Sequence, residues 1–327
     1  MKVINSGGVN RIVKCLLINC LFCLFSFFAI SQEYQYPRDT SYTIHSAYLK
    51  IKKKYPQVTQ VSASNPETIF EKRDLVYSFQ SRSLKLDFYS PKNISGKTPA
   101  ILIVFGGGWK SGQKENLRPM AQRLATAGYV CVVPEYRLSP EAIFPAAVYD
   151  LKEAIKWIKS ESGNLNIDTN KIAVLGCSAG AQLATLVAVT PDNSKLESPH
   201  SKIKFSTRVN AMVNIDGIVA FIHPESEEGK VAGEWLGGNQ VEAHENWELA
   251  SPLTHVDSTS PPILYINSSI PRFHAGRDDM IKILQQENIY FEVHTFDNSP
   301  HSFWHVNPWF EPTSQLVINF LIKVFEN

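Results

Sequence analysis

The sequence predicts an α/β fold in which helices cover both faces of a mostly parallel sheet. Three observations lead to this prediction. Short apolar runs alternate with amphipathic helical segments along most of the chain. The run at 100–105 is apolar throughout and three glycines follow it at once, as expected for a parallel strand buried on both faces. Hydrophobic residues make up 44% and charged residues 19% of the 327 residues, which is typical of a well-packed globular protein.

The first 31 residues are predicted to be a cleaved secretory signal, outside the fold. Lys2, Arg11 and Lys14 precede an apolar run over 15–30, and small residues follow where signal peptidase needs them. This run is shorter than the ~20 residues that span a bilayer comfortably, so cleavage is favoured over an anchor helix. No good lipobox precedes a cysteine there, so lipidation is not favoured. The mature chain is expected to be secreted or periplasmic, without membrane contact.

Residues 32–327 are predicted to form a single domain around a sheet of the eight-stranded type. Residues 32–75 are polar and irregular, apart from a helix near 48–54. Strands are predicted at 84–89, 100–105, 129–133, 171–175, 211–215, 263–266 and 291–296. Helices are predicted at 117–127, 146–160, 179–190, 277–286 and 313–325. Residues 222–256 have no clear period, which predicts an insertion with a short helix before Gly237.

A candidate nucleophile lies between a predicted strand and a predicted helix, in Gly176-Cys177-Ser178-Ala179-Gly180. In this context the G-x-S-x-G pattern indicates a nucleophile elbow, because a turn so sharp leaves no room for side chains at its flanking positions. The turn lifts Ser178 above the edge of the sheet. The amino end of the following helix is expected to stabilise a developing negative charge.

A second glycine motif, Phe105-Gly106-Gly107-Gly108-Trp109, also follows a predicted strand. Glycines allow backbone N–H groups to approach a substrate oxygen without obstruction. Together with the N–H of Ala179, those of Gly106 and Gly107 are predicted to form an oxyanion hole.

These motifs, in this order, resemble the esterase/lipase branch of the α/β-hydrolases. Tyr136-Arg137-Leu138 lies between the two glycine motifs and Pro300-His301-Ser302-Phe303 follows both. The whole set is similar to hormone-sensitive-lipase-like enzymes, and closer still to carbohydrate esterases that deacylate plant polysaccharides. The resemblance covers roughly 84–325 and implies an α/β-hydrolase fold and ester hydrolysis without metal or cofactor. The family usually has His where this chain has Phe105. That His holds the loop in place, so the predicted oxyanion hole does not depend on it.

A serine nucleophile needs an imidazole that takes its proton, and His301 lies where the resemblance places that base. The acid is expected after the strand at 263–266, but no carboxylate follows until Asp278. Asp278 begins a helix, where a carboxylate is well explained by the helix dipole. Asp216 ends the preceding strand and has no packing reason to be there. Asp216 is therefore the favoured acid and Asp278 the alternative, with a Ser–His dyad as a third option.

The expected substrate is an ester on a polysaccharide or oligosaccharide such as pectin or xylan, with either an acetyl or a methyl ester cleaved. Trp109 and Trp304 lie in motif loops, where aromatic faces suit sugar rings, although packing is the more common role of such residues. Arg272 could face an acidic sugar, as could Lys110, although a solvated or ion-paired surface position explains both equally well.

Two other classes stay open from the sequence alone. One is a serine peptidase of related fold, and the other is a catalytically silent carbohydrate-binding relative. The formal net charge of +1 gives no support for nucleic-acid binding. No cysteine spacing indicates a metal site, and Cys131 and Cys177 are expected to be buried free thiols. No feature of the sequence predicts an oligomeric state.

Overall fold

An eight-stranded sheet runs through the computed structural model of this protein, which describes residues 37–326. The predicted signal peptide at 1–31 lies outside the described residues. From Pro37 onward the chain forms one compact unit, which includes the predicted insertion at 222–256. No helix in residues 37–326 is both long enough and apolar enough to cross a membrane.

The strands of the described residues are β1 (Thr59–Gln60), β2 (Ile69–Phe79), β3 (Ser83–Pro91), β4 (Thr98–Val104), β5 (Val130–Pro134), β6 (Ile167–Cys177), β7 (Ala211–Ile215), β8 (Ile263–Asn267), β9 (Phe291–Thr295) and β10 (Val306–Asn307). The α-helices are α1 (Ile44–Lys52), α2 (Arg118–Thr126), α3 (Ala146–Ser160), α4 (Ala179–Val189), α5 (Gly229–Leu236), α6 (His244–Leu249), α7 (Arg277–Gln286) and α8 (Phe310–Glu326). Short 3₁₀ turns cover Lys114–Leu117, Pro252–Thr254, Pro271–His274 and Phe303–His305.

The large sheet has the strand order β2-β3-β5-β4-β6-β7-β8-β9. Strand β3 pairs antiparallel with both of its neighbours, and every pairing from β5 to β9 is parallel. Each residue of β5, β7 and β8 is buried, because helices cover these central strands. Helix α2 packs against α8 and helix α3 against α4, and both pairs contact the sheet. The predicted α/β class and the mostly parallel sheet of the eight-stranded type are confirmed.

The prediction that residues 32–75 are irregular outside one helix is wrong at two places, because this range contains β1 and because β2 begins at Ile69. Strand β2 lies at the edge of the large sheet, and many of its side chains are exposed. Its pairing with β3 is interrupted by register shifts, one of them next to Asp74, whose φ is 59°. A bulge of this kind breaks the two-residue alternation by which a strand is recognised in a sequence.

The N-terminal segment that contains α1 and β1 packs against the residues that follow His301. Helix α1 begins with a capping box, in which Thr43 and Ser46 satisfy each other's backbone N–H groups. Ile51, Tyr55 and Val58 pack with Val306 in a small apolar cluster. Strand β1 pairs antiparallel with β10, immediately after the loop that carries His301. Helix α1 is therefore held close to this loop.

The insertion folds into α5 and α6. Helix α5 ends at Gly237, which has the left-handed φ of 84° that favours glycine at a helix terminus. Cys131 and Cys177 are buried free thiols, as expected.

Candidate active site

Ser178 occupies a strained turn between β6 and α4. Its φ and ψ are 56° and −126°, a combination that costs about 1–3 kcal/mol in a residue with a side chain. A Cβ on Gly176 would collide with the carbonyl oxygen of Gly180, and one on Gly180 would collide with the backbone of Phe105. Both glycines of the elbow are therefore required by contact, and the turn leaves the Ser178 side chain partly accessible.

The structure brings Ser178, His301 and Asp216 together at the carboxyl ends of the parallel strands. Asp216 follows β7, the strand next to β6, and His301 arrives in the loop after β9. The Nδ1 of His301 donates to Oδ2 of Asp216 over 2.6 Å. Its Nε2 is thereby left to accept the hydroxyl proton of Ser178, whose Oγ lies 2.9 Å away. This is the geometry that a nucleophile, a general base and an orienting acid require.

Asp216 is fully buried, and its other oxygen is also satisfied. The Oδ1 atom accepts from the backbone N–H of Ser268 over 2.8 Å and from Nε2 of His274 over 3.3 Å. Burial alone would raise the pKa of Asp216. The hydrogen bonds from His274 and His301 outweigh burial and lower this pKa to about 2, so the carboxylate stays charged at neutral pH.

The alternative acid, Asp278, is placed elsewhere. Its side chain is 68% exposed, near the start of α7, and it accepts from Nε of Arg277 over 2.8 Å. Where the usual pattern predicts an acid after β8, this chain instead supplies the N–H of Ser268, which binds the carboxylate of Asp216. The carboxylate that follows β7 therefore contacts the end of β8, the strand after which the acid usually lies.

The three predicted oxyanion donors lie beside Ser178. A Cβ on Gly106 would collide with the carbonyl oxygen of Cys177 and crowd Cβ of Ser178, so this loop packs directly on the elbow. Gly107 has a φ of 136°, which favours glycine. Within residues 37–326 no acceptor takes the N–H of Gly106, Gly107 or Ala179. Ala179 opens α4, where the first N–H groups have no partner within the helix.

The predicted sugar platforms at Trp109 and Trp304 are wrong. Each is 2% exposed. The ring of Trp109 stacks on that of Trp235 with centroids 5.3 Å apart, and its Nε1 donates to Gln182 over 2.8 Å. Trp304 donates from Nε1 to Nε2 of His305 over 3.1 Å. Neither indole presents a free face to a sugar ring, because packing within the core covers both.

Phe273 and Glu228, which the sequence did not indicate, lie near His301 together with the predicted candidate Arg272. The ring of Phe273 stacks on the imidazole of His301, with centroids 3.5 Å apart and planes 11° from parallel. The guanidinium of Arg272 lies 4.1 Å from the centre of the Phe273 ring. Arg272 also pairs with Glu228 of the insertion over 3.3 Å, and burial raises the pKa of that carboxyl. The predicted candidate Arg272 is thus near the base, with a side chain that is 38% exposed.

We expect Phe273→Ala to lower kcat about tenfold, because the imidazole would lose the ring that holds its plane. An aromatic pair contributes about 0.5–1.5 kcal/mol beyond its buried area, and 1.4 kcal/mol corresponds to a factor of ten. Steady-state kinetics with p-nitrophenyl acetate would measure this loss, with Phe273→Tyr as the matched control that keeps the ring. Equal turnover by the Ala variant and the wild type would contradict a positioning role for Phe273.

An open cleft of about 730 Å³ leads to Ser178 and His301. One wall is the segment with α1, and Arg272, Phe273 and Glu228 also line the cleft. Tyr42, just before α1, joins the N-terminal wall to the histidine loop through a 2.9 Å hydrogen bond between its hydroxyl and that of Ser302. No feature of the sequence pointed to the N-terminal segment or to Glu228 as parts of the site. Their chain positions are far from the motifs, and only the fold brings them there.

The fold and this arrangement of side chains define an α/β-hydrolase of the esterase/lipase branch, which confirms the predicted resemblance. A family model described as BD-FAE matches residues 86–291, more than half of the chain. The chain belongs to the BD-FAE family.

Individual proteins show the same likeness. The chain is 27% identical over 242 residues to the probable carboxylic ester hydrolase LipM of Mycobacterium tuberculosis, an alignment covering 68% of this chain and 56% of that protein. It is 25% identical to the apo form of esterase 2 from Thermogutta terrifontis, with a TM-score of 0.66 and coverage of 80% and 96% of the two chains. Its fold is also similar to a truncated carbohydrate esterase from gut microbiota, at 20% identity and a TM-score of 0.65, covering 80% and 99%. The chain spans about half the length of the curated relatives that it matches.

Proposed function

We propose that this protein hydrolyses carboxylic esters, and specifically that it removes acetyl groups from plant polysaccharide through an acyl-enzyme on Ser178. The observation that carries this proposal is the pair of hydrogen bonds that joins Asp216 to His301 and His301 to Ser178. Relatives named as ester hydrolases support it. The signal peptide predicted at 1–31 leads us to propose further that the enzyme acts after export.

The proposed reaction uses each group at a defined atom. Ser178 Oγ attacks the ester carbonyl while its proton moves to Nε2 of His301. The N–H groups of Gly106, Gly107 and Ala179 bind the oxyanion, and loss of one such donor costs about 3 kcal/mol of barrier. The imidazolium, stabilised by Asp216, then protonates the leaving alcohol. Water repeats these steps on the acyl-enzyme and releases the acid.

The spaces beside Ser178 favour an acetyl group over a methyl ester of a sugar acid. His301 must protonate the alcohol that leaves, so the alcohol lies on the side of the site that His301 lines, which is the large cleft. The acyl group then points into a smaller space of about 20 Å³. The residues that line the small space are Gly108, Trp109, Ser178, Ala179, Asp216, Gly217, Ile218, Glu228 and Phe273. A space of this size holds about one water molecule, and so little more than a methyl group.

The polysaccharide part of the proposal has separate support. The open cleft can accept a chain whose ester-bearing unit faces Ser178, and one structural neighbour is itself named a carbohydrate esterase. The hypothesis of a catalytically silent relative requires that the triad acid be missing. Nδ1 of His301 donates to Asp216, which argues against that hypothesis.

We therefore expect acetate, and no methanol, as the product of hydrolysis of acetylated and methyl-esterified polysaccharide. The physical reason is the small acyl space, which would admit the methyl of an acetyl group and exclude a sugar ring. Enzymatic acetate and methanol assays on acetylated xylan and on pectin bearing both esters would measure the two products. Methanol release without acetate would contradict the orientation proposed for the ester.

A further inference from the structure

We infer that the N-terminal wall of the cleft is a binding site for a carboxylate-bearing sugar chain, so that the enzyme prefers acetyl esters of uronic-acid polysaccharide to those of neutral polysaccharide. This inference rests on the proposed function. The observation that carries it is that four cationic side chains line the same cleft as Ser178. They are those of Lys50, Lys54, Lys110 and Arg272.

Positive charge exceeds negative charge in the cleft. Four cationic side chains line it, against the two carboxylates of Asp39 and Glu228. Both carboxylates already have partners, since Glu228 pairs with Arg272 and Asp39 accepts from the backbone N–H of Ser41 over 2.8 Å. A ligand that complements this lining carries negative charge.

Lys50 and Lys54 are the two cationic residues of the cleft whose charge no carboxylate of the described residues neutralises. Among residues 37–326 neither ammonium group has a carboxylate within salt-bridge distance, and both side chains are exposed. Their spacing of four residues, across the last turn of α1 and the turn after it, puts them on the same side of the segment. The Nζ of Lys54 lies 5.6 Å from the centre of the Tyr55 ring, an aromatic side chain that also lines the cleft.

The wall that carries these lysines has a fixed position relative to the nucleophile. Tyr42 is hydrogen-bonded to Ser302, the residue after His301, and the amide of Asn116 donates to the carbonyl of Tyr42 over 3.1 Å. Ile51, between the two lysines, is anchored in the small apolar cluster. The lysines are therefore placed where they can contact sugar units that flank the unit at Ser178.

A different explanation of the lysines is compensation of the helix dipole, because cations are favourable in the last turn of a helix. That explanation applies equally to Lys52 and Lys53, which lie between Lys50 and Lys54 in the sequence and do not line the cleft. Lys52 instead donates to the hydroxyl of Tyr48 over 2.7 Å. The same short segment thus supplies two lysines that face the cleft and two matched lysines that do not.

The test compares the double variants Lys50→Glu/Lys54→Glu and Lys52→Glu/Lys53→Glu. Both change the net charge of the chain by the same amount and both place acids at the same helix end. The substrates are acetylated oligogalacturonate, acetylated xylo-oligosaccharide and p-nitrophenyl acetate, each at low and at raised salt, and thermal unfolding shows whether each variant is folded.

We expect the wild type to favour the oligogalacturonate at least tenfold in kcat/KM, with the preference shrinking as salt rises. In the Lys50→Glu/Lys54→Glu variant, kcat/KM for the oligogalacturonate falls at least tenfold because KM rises. In the control variant, kcat/KM for the same substrate changes less than threefold. Hydrolysis of the two uncharged substrates stays within about twofold of wild type in both variants. Equal use of both oligosaccharides by the wild type, or equal losses in both variants, would overturn the inference. A failure of the proposed function would differ, because the wild type would then release no acetate from either oligosaccharide.

Discussion

Replacement of Ser178 by alanine is expected to lower kcat for p-nitrophenyl acetate by about six orders of magnitude, to the level of the residual catalysis that binding and the oxyanion donors provide. The Oγ atom of Ser178 is the only part of the chain that the mechanism joins covalently to substrate. Its removal leaves His301 with no proton to take, and losing one member of such a unit costs about as much as losing all of it.

The fold should survive this change, so that lost activity reports on chemistry. Ser178 already has a strained φ of 56°, its hydroxyl bonds to His301 alone among the described residues, and alanine needs no more space. The variant's thermal unfolding and circular dichroism should match the wild type. Turnover within tenfold of the wild type in a folded Ser178→Ala variant would refute the assignment of the nucleophile.

Asp216→Asn is expected to lower kcat by about four orders of magnitude, with little change in the backbone. The N–H of Ser268 and the Nε2 of His274 both need an acceptor at the position of Oδ1. The amide oxygen of asparagine must therefore face those two donors, which turns its NH₂ group toward Nδ1 of His301. An imidazole that accepts at Nδ1 carries its proton on Nε2, where it cannot accept the proton of Ser178.

The matched control for this prediction is Asp278→Asn. It makes the same chemical change at an exposed carboxylate that pairs with Arg277, and we expect kcat within about twofold of wild type. Steady-state kinetics of both variants and the wild type under the same conditions would measure the difference. The assignment of the acid would be wrong if the Asp278 variant lost more activity than the Asp216 variant.

The nucleophile elbow and the general base His301 could be predicted from the sequence, because short motifs and the order of strands and helices determine their positions. A turn as tight as that at Ser178 requires glycine on both sides, and the order of strands and helices puts the loop of His301 at the same sheet edge. The sequence also predicts strand β7 clearly, so Asp216, the residue that follows it, could be proposed as the acid. The choice between Asp216 and Asp278 depended on three-dimensional contact, which no local pattern records.

The surroundings of the site could not be predicted in this way. Trp109 and Trp304 lie in loops beside the motifs, yet their rings turn inward, because burying an indole stabilises the core more than exposing it to solvent. Glu228 lies in an insertion without periodicity, and Tyr42 precedes a short helix far from every motif. Long-range packing decides such positions, and each depends on which loops the completed sheet brings together.

The central claim is that Ser178 is made nucleophilic by His301 and becomes covalently bonded to the acyl group. Its most direct test is mass spectrometry of the protein after exposure to a fluorophosphonate, with peptide mapping of the modified residue. We predict one adduct per chain, on the peptide that contains Ser178, formed rapidly by the wild type, slowly by His301→Ala and not at all by Ser178→Ala. An unmodified Ser178 in a preparation that hydrolyses p-nitrophenyl acetate would contradict the claim.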